Sequence, residues 1–119
     1  TIMQYLLLIY TGEAAMAATS DADTTKMTAA YTAYAEAMVK AGVMVGGNRL
    51  RPTSTATTIR SPGGKTQVLD GPYAETKEQL GGYFMIEAPD LDTALSWAER
   101  CPAAAHGAIE VRPIWPMAA

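Results

Sequence analysis

The run Tyr5-Leu6-Leu7-Leu8-Ile9-Tyr10 constrains the fold more than any other stretch, because it is apolar at both alternating sets of positions. Successive side chains of a strand point to opposite faces of its sheet. A strand of this composition therefore needs cover on both faces and belongs in the middle of a sheet. Gly12 ends it. The run is far shorter than the roughly 18 apolar residues of a spanning helix, so no membrane crossing is expected. A chain of 119 residues has material for one compact core, and we read residues 1–119 as a single domain.

Between Asp21 and Ala41 the positions Met27, Ala30, Tyr31, Tyr34, Ala35, Met38 and Val39 recur at three- and four-residue steps, which predicts one apolar stripe on a helix. Asp21 or Asp23 is the expected cap, and Gly42 the expected left-handed terminator. Ala14 to Ala18 reads as loop or a short helical turn. Val43 to Leu50 reads as a strand made irregular by Gly46-Gly47 and closed by Pro52. Thr55 to Arg60 and Thr66 to Leu69 flank the turn Ser61-Pro62-Gly63-Gly64 and predict a hairpin. A strand from Gly82 to Glu87 follows. Asp90 then caps a second helix with Leu91, Ala94, Leu95 and Ala98 on one face, ended by Pro102, and Ala108 to Arg112 is the last strand.

Apart from the hairpin, this order is strand, helix, strand, repeated once. It predicts an α+β fold of the ferredoxin-like type, two split βαβ halves forming an antiparallel sheet with both helices on one face and an inserted β-hairpin. Two helices cover only one face, yet Leu6 and Leu8 make the other face of the first strand apolar as well. A homodimer packing sheet against sheet, a dimeric α+β barrel-like assembly, supplies the missing cover. The formal net charge of −3 argues against direct nucleic-acid contact, since the basic footprint of such proteins is missing. Cys101 is alone, which excludes an intramolecular disulfide and a cysteine cage for zinc. With no signal-peptide pattern at the N-terminus, a cytoplasmic location is expected.

The stretch Asp70-Gly71-Pro72-Tyr73-Ala74-Glu75-Thr76-Lys77-Glu78, continued by Gly81-Gly82-Tyr83, resembles the signature of the DGPF branch of YCII-related proteins, with Tyr73 in place of Phe. Thr58-Ile59-Arg60, Asp90-Leu91-Asp92, Trp97-Ala98 and Glu110-Val111-Arg112-Pro113 are similar to that branch too, so the likeness covers nearly the whole chain. It implies a ferredoxin-like fold that dimerises. It supplies no settled reaction. Some relatives are proposed to use a His and Asp pair with the His on the first helix, and this chain has no His there, so that dyad does not transfer. DGPF proteins are also described beside extracytoplasmic-function sigma factors, which implies a non-catalytic regulatory or ligand-binding role as the alternative to an enzyme.

The residues themselves offer a modest set of chemical groups. Asp70 is either a turn residue, accepting bonds from nearby amides, or a general base presented at a strand end with Glu75, Lys77 and Glu78 close by. His106, the single histidine, is either an ordinary hydrogen-bonded side chain or the second acid–base group. Charges inside strands, Arg60, Glu87, Glu110 and Arg112, are either paired at a dimer rim or line an interfacial pocket in which Arg60 or Arg112 holds a carboxylate or phosphate. Tyr10 is a candidate lining residue and Glu78 a candidate substrate contact. No cofactor and no metal is expected, because one His and one Cys lack any zinc spacing. The glycine pairs at 46–47, 63–64 and 81–82 fit turns and bulges better than a phosphate loop, since none opens a helix after a strand. The reading is a small dimeric, enzyme-like domain that binds an anionic organic molecule in a pocket near the Asp70 turn, with Asp70 and His106 as its acid–base residues, while enzyme activity as such is left open.

Overall fold

The computed structural model describes residues 2–72 and 77–116. Its elements are β1 (Met3–Thr11), α1 (Glu13–Ala17), α2 (Asp21–Lys40), β2 (Met44–Arg49), β3 (Thr57–Arg60), β4 (Gln67–Asp70), β5 (Gln79–Ala88), α3 (Leu91–Arg100) and β6 (Ala108–Pro113), with short 3₁₀ turns between several of them. The main sheet runs β2-β5-β1-β6, and β3 and β4 form a second, two-stranded sheet. Every pairing is antiparallel. This α+β architecture, with β1 central and the hairpin inserted between the two halves, is compatible with the ferredoxin-like class.

Strand register divides β1 as its sequence requires. Tyr5, Leu7 and Ile9 are buried against Tyr34 and Met38 of α2 and Ala94 and Ala98 of α3, together with Ile86 and Ala88 of β5. Both long helices thus share one face. Leu6, Leu8 and Tyr10 point the other way, opposite Met85, Tyr83 and Leu80 of β5, and stay half-buried on a face that, among the described residues, no helix covers. The molecule measures 47 × 46 × 18 Å, and the short dimension is that of one sheet and one helical layer.

Local details follow from residue chemistry. Ser20, not Asp21 or Asp23, caps α2: its hydroxyl accepts from the Asp23 amide at 3.2 Å, which leaves both carboxylates in the first turn, where the helix dipole favours them. At the other end Gly42 has φ of +72°, the Val43 amide donates to the Met38 carbonyl and the Gly42 amide to Val39, a Schellman closure. The expected stripe on α2 is narrower than its spacing suggested. Ala30 and Val39 are exposed, and Tyr34 and Met38 carry the burial. On α3 the expected face is rotated: Ala94 and Ala98 are buried while Leu91 and Leu95 lie exposed at its flank, since the small residues let the helix sit close to the strands.

The glycine pairs act as bulges, close approaches and a turn. Strand β5 begins at Gln79 and not at Gly82, because Gly81 is an extra residue opposite the Ile9/Tyr10 step of β1 and pairing resumes beyond it. Gly47 lies under the Phe84 ring, where a Cβ would come within 2.7 Å of Cδ1.

Candidate functional site

Two clusters hold some of the side chains singled out above: Tyr10, Glu110 and Arg112 in one, Thr58 and Arg60 in the other. The first is on the uncovered sheet face. Tyr10, near the end of β1, donates its phenol to Glu110 Oε1 of β6 at 3.1 Å. Glu110 and Arg112 share that face, opposite Leu8 and Leu6 of β1. Burial, and then the hydrogen bond to Glu110 and its charge, push the Tyr10 phenol above its ordinary value, against an opposing pull from the Arg112 guanidinium. The phenol therefore stays protonated at neutral pH and serves as a donor. Asn48 of β2 donates to the Tyr83 hydroxyl at 2.9 Å on the same face.

The second cluster is on the hairpin. Register puts Thr58 opposite Leu69 and Arg60 opposite Gln67, on one face, and Ile59 opposite Val68 on the other. Among the described residues, Thr58, Arg60, Leu69 and Pro72 line an open concavity of ≈ 340 Å³ beside the Asp70-Gly71 turn. That turn is tied back to the hairpin base: Gly71, at φ +101°, donates its amide to Ala56 O, and the Thr58 hydroxyl donates to Gly71 O at 2.8 Å. A guanidinium, a hydroxyl and two apolar side chains thus surround one space.

The remaining candidates stand apart. Strand alternation puts Asp70 on the Ile59/Val68 side of the hairpin, away from Arg60. His106 is exposed between the 3₁₀ turn Pro102–Ala105 and β6, where its amide donates to Ala103 O at 3.2 Å. Among the described residues no hydrogen bond or ion pair joins Asp70 to His106. Glu78 is exposed just ahead of β5. Glu75 and Tyr73 lie outside the described residues. Among the described residues no group of three His, Cys, Asp or Glu side chains is placed to hold a metal ion, and no helix is long and apolar enough to cross a membrane.

One participant carries no recognisable pattern in the sequence. Glu13 reaches Thr53 with both carboxylate oxygens, accepting from its amide at 2.7 Å and its hydroxyl at 2.6 Å. A glutamate after Gly12 in an alanine-rich stretch gives no hint of a partner forty positions on.

Residues 3–118 match the YCII-related domain. This chain belongs to the YCII-related family. A relative in that family, an uncharacterized protein of Rhizobium meliloti (strain 1021), is 39% identical over 114 residues, covering 94% of this chain and 92% of its own length. The likeness spans both clusters of this YCII-related domain, the open sheet face and the hairpin alike.

Proposed function

We propose that this YCII-related domain is a homodimeric binding protein for a small organic anion, held on the Thr58–Arg60–Leu69 face of the hairpin. The supporting observation is the open concavity beside the Asp70 turn, where Arg60 stands next to the apolar Leu69 and Pro72. Arg60 supplies a planar fork suited to a carboxylate or phosphate, and Leu69 and Pro72 an apolar wall for the organic part, while the Thr58 hydroxyl, donating to Gly71 O, fixes the turn beside them. Asp70 and His106 do not line this space, so binding is better supported than proton transfer by that pair. Dimerisation is supported by the uncovered face, where Leu6, Leu8, Leu80, Tyr83 and Met85 form an apolar centre with Gln4, Glu87, Glu110 and Arg112 around it.

The test is a titration of labelled protein with mono- and dicarboxylates and phosphate monoesters, read as amide shift perturbations. Binding here moves the amides of Thr58, Arg60 and Leu69. Arg60→Gln then weakens it roughly ten- to hundredfold, as expected for losing about 1.5–3 kcal/mol of charge-assisted bonding. Perturbations confined to Tyr10, Glu110 and Arg112 would move the site to the sheet face and sink the hairpin reading.

A further inference from the structure

The hairpin excursion leaves the body after β2 and rejoins it at β5. From Thr57 to Asp70 every residue except Thr58 is exposed, including Ile59 at 66% and Val68 at 63%. Among the described residues little apolar burial ties this unit to the sheet, and a two-stranded hairpin by itself is marginal in water. Polar contacts at the base of the excursion bear on its direction.

The side chain in the right place is Glu13. It is the first residue of α1, one residue beyond the end of β1 at Thr11, so its backbone stays next to the sheet. Its carboxylate accepts two bonds from Thr53, the residue that opens the 3₁₀ turn leading into the hairpin. Its own amide donates to Gln79 Oε1 at 3.3 Å, and Gln79 is where the excursion rejoins the sheet in β5. One residue on the body thus grips the way in and the way out. From Thr53 the connection to the hairpin base is short, through Ala56, whose carbonyl accepts the Gly71 amide. Charge-assisted bonds of this length are the stronger class of hydrogen bond, and two to one residue also fix its orientation.

We propose that Glu13 is the positioning residue that sets the pose of the β3–β4 hairpin relative to the sheet, and with it the pose of the Arg60 concavity. The pose stands on the contacts alone; its consequence for anion binding rests on the function proposed above. Three variants of the full chain separate the possibilities. Glu13→Ala removes both bonds. Glu13→Gln keeps an acceptor for the Thr53 amide and offers its NH₂ group to the Thr53 hydroxyl. Thr53→Val deletes one bond from the loop side.

Residual dipolar couplings of the backbone amides read the pose directly. In the wild type the hairpin and sheet couplings fit one alignment tensor. In Glu13→Ala the hairpin couplings shrink to half or less while those of Leu7 and Ile86 keep their values, Glu13→Gln restores them, and Thr53→Val lies between. A merely structural contribution would lower the melting temperature without this split and without rescue by Gln. Hairpin couplings unchanged in Glu13→Ala, or unchanged in Thr53→Val should Glu13→Ala fail to fold, would overturn the proposal. Arg60→Gln leaves the couplings alone, so a failure of the anion-binding reading is seen separately from a failure of the clasp.

Discussion

Single residues decide several local geometries here by what they leave out. Gly107 precedes β6, and a Cβ at that position would overlap the Tyr10 carbonyl and crowd the Ala103 carbonyl at 3.3 Å. Both neighbours are backbone, so they cannot move aside as a flexible side chain would. Gly107→Ala is expected to cost about 2 kcal/mol or more, as overpacking does, and to appear as a lower urea midpoint at unchanged slope. Elsewhere a side chain completes the backbone. The Tyr34 hydroxyl donates to the Trp97 carbonyl at 2.6 Å, occupying one of the acceptors that the last turn of α3 leaves without an intrahelical partner. Burial pushes the phenols of Tyr31 and Tyr34 and the thiol of Cys101 above their ordinary values, so this cluster is uncharged at neutral pH and behaves as core.

At the scale of elements, α3 depends on its first residue pair. Asp90 accepts from the Thr93 amide at 2.8 Å and from its hydroxyl at 2.7 Å. These bonds hold the carboxyl below its ordinary value of 3.8. A group depressed in the folded state stabilises the protein above its unfolded pKa and loses that contribution as pH falls through the folded value. Asp90→Ala is therefore expected to lower the melting temperature by a few degrees at pH 7, with the difference from wild type closing below pH 3.8. Asp90→Asn retains an acceptor and stays near wild type at pH 7, which a calorimetric series across pH would show. The hairpin is the contrasting element. Its strands are paired and β-branched, yet Ile59 and Val68 face solvent, so its own chemistry makes it a hairpin without saying where it points.

For the whole molecule, the flat shape matters most. The radius of gyration is 16.4 Å, against about 13.5 Å expected for a compact chain of this length. The excess fits a hairpin exposed along nearly its whole length and the exposed first turns of α2. A single layer of helices also leaves the Leu6, Leu8 and Met85 face open, which underlies the proposed sheet-to-sheet dimer. Light scattering at micromolar concentration is expected to give twice the monomer mass. Leu8→Glu, at the centre of that face, is expected to weaken association at least a hundredfold, about 3 kcal/mol, with the far-ultraviolet circular dichroism unchanged. A monomeric wild type would refute the assembly.

What could be read from residue order alone is whatever depends on near neighbours. The two-faced β1, the periodicity of α2, the Asp90 cap, the Gly42 terminator and the turn at Gly63-Gly64 are all short-range chemistry, and each is present. Membership of the family was legible too, because its signature is carried by contiguous residues. The tertiary structure alone decided which apolar residues are core and which functional groups meet. Val39 and Leu91 satisfy a helical period and are exposed, since the period marks a stripe and only the neighbouring layer says how much of it is covered. Asp70 and Arg60 fall on opposite faces of one hairpin because pairing register, not proximity in the chain, sets the side. Glu13 meets Thr53 and Gln79 because three chain segments converge at one end of the sheet, and such convergence leaves no mark on local composition.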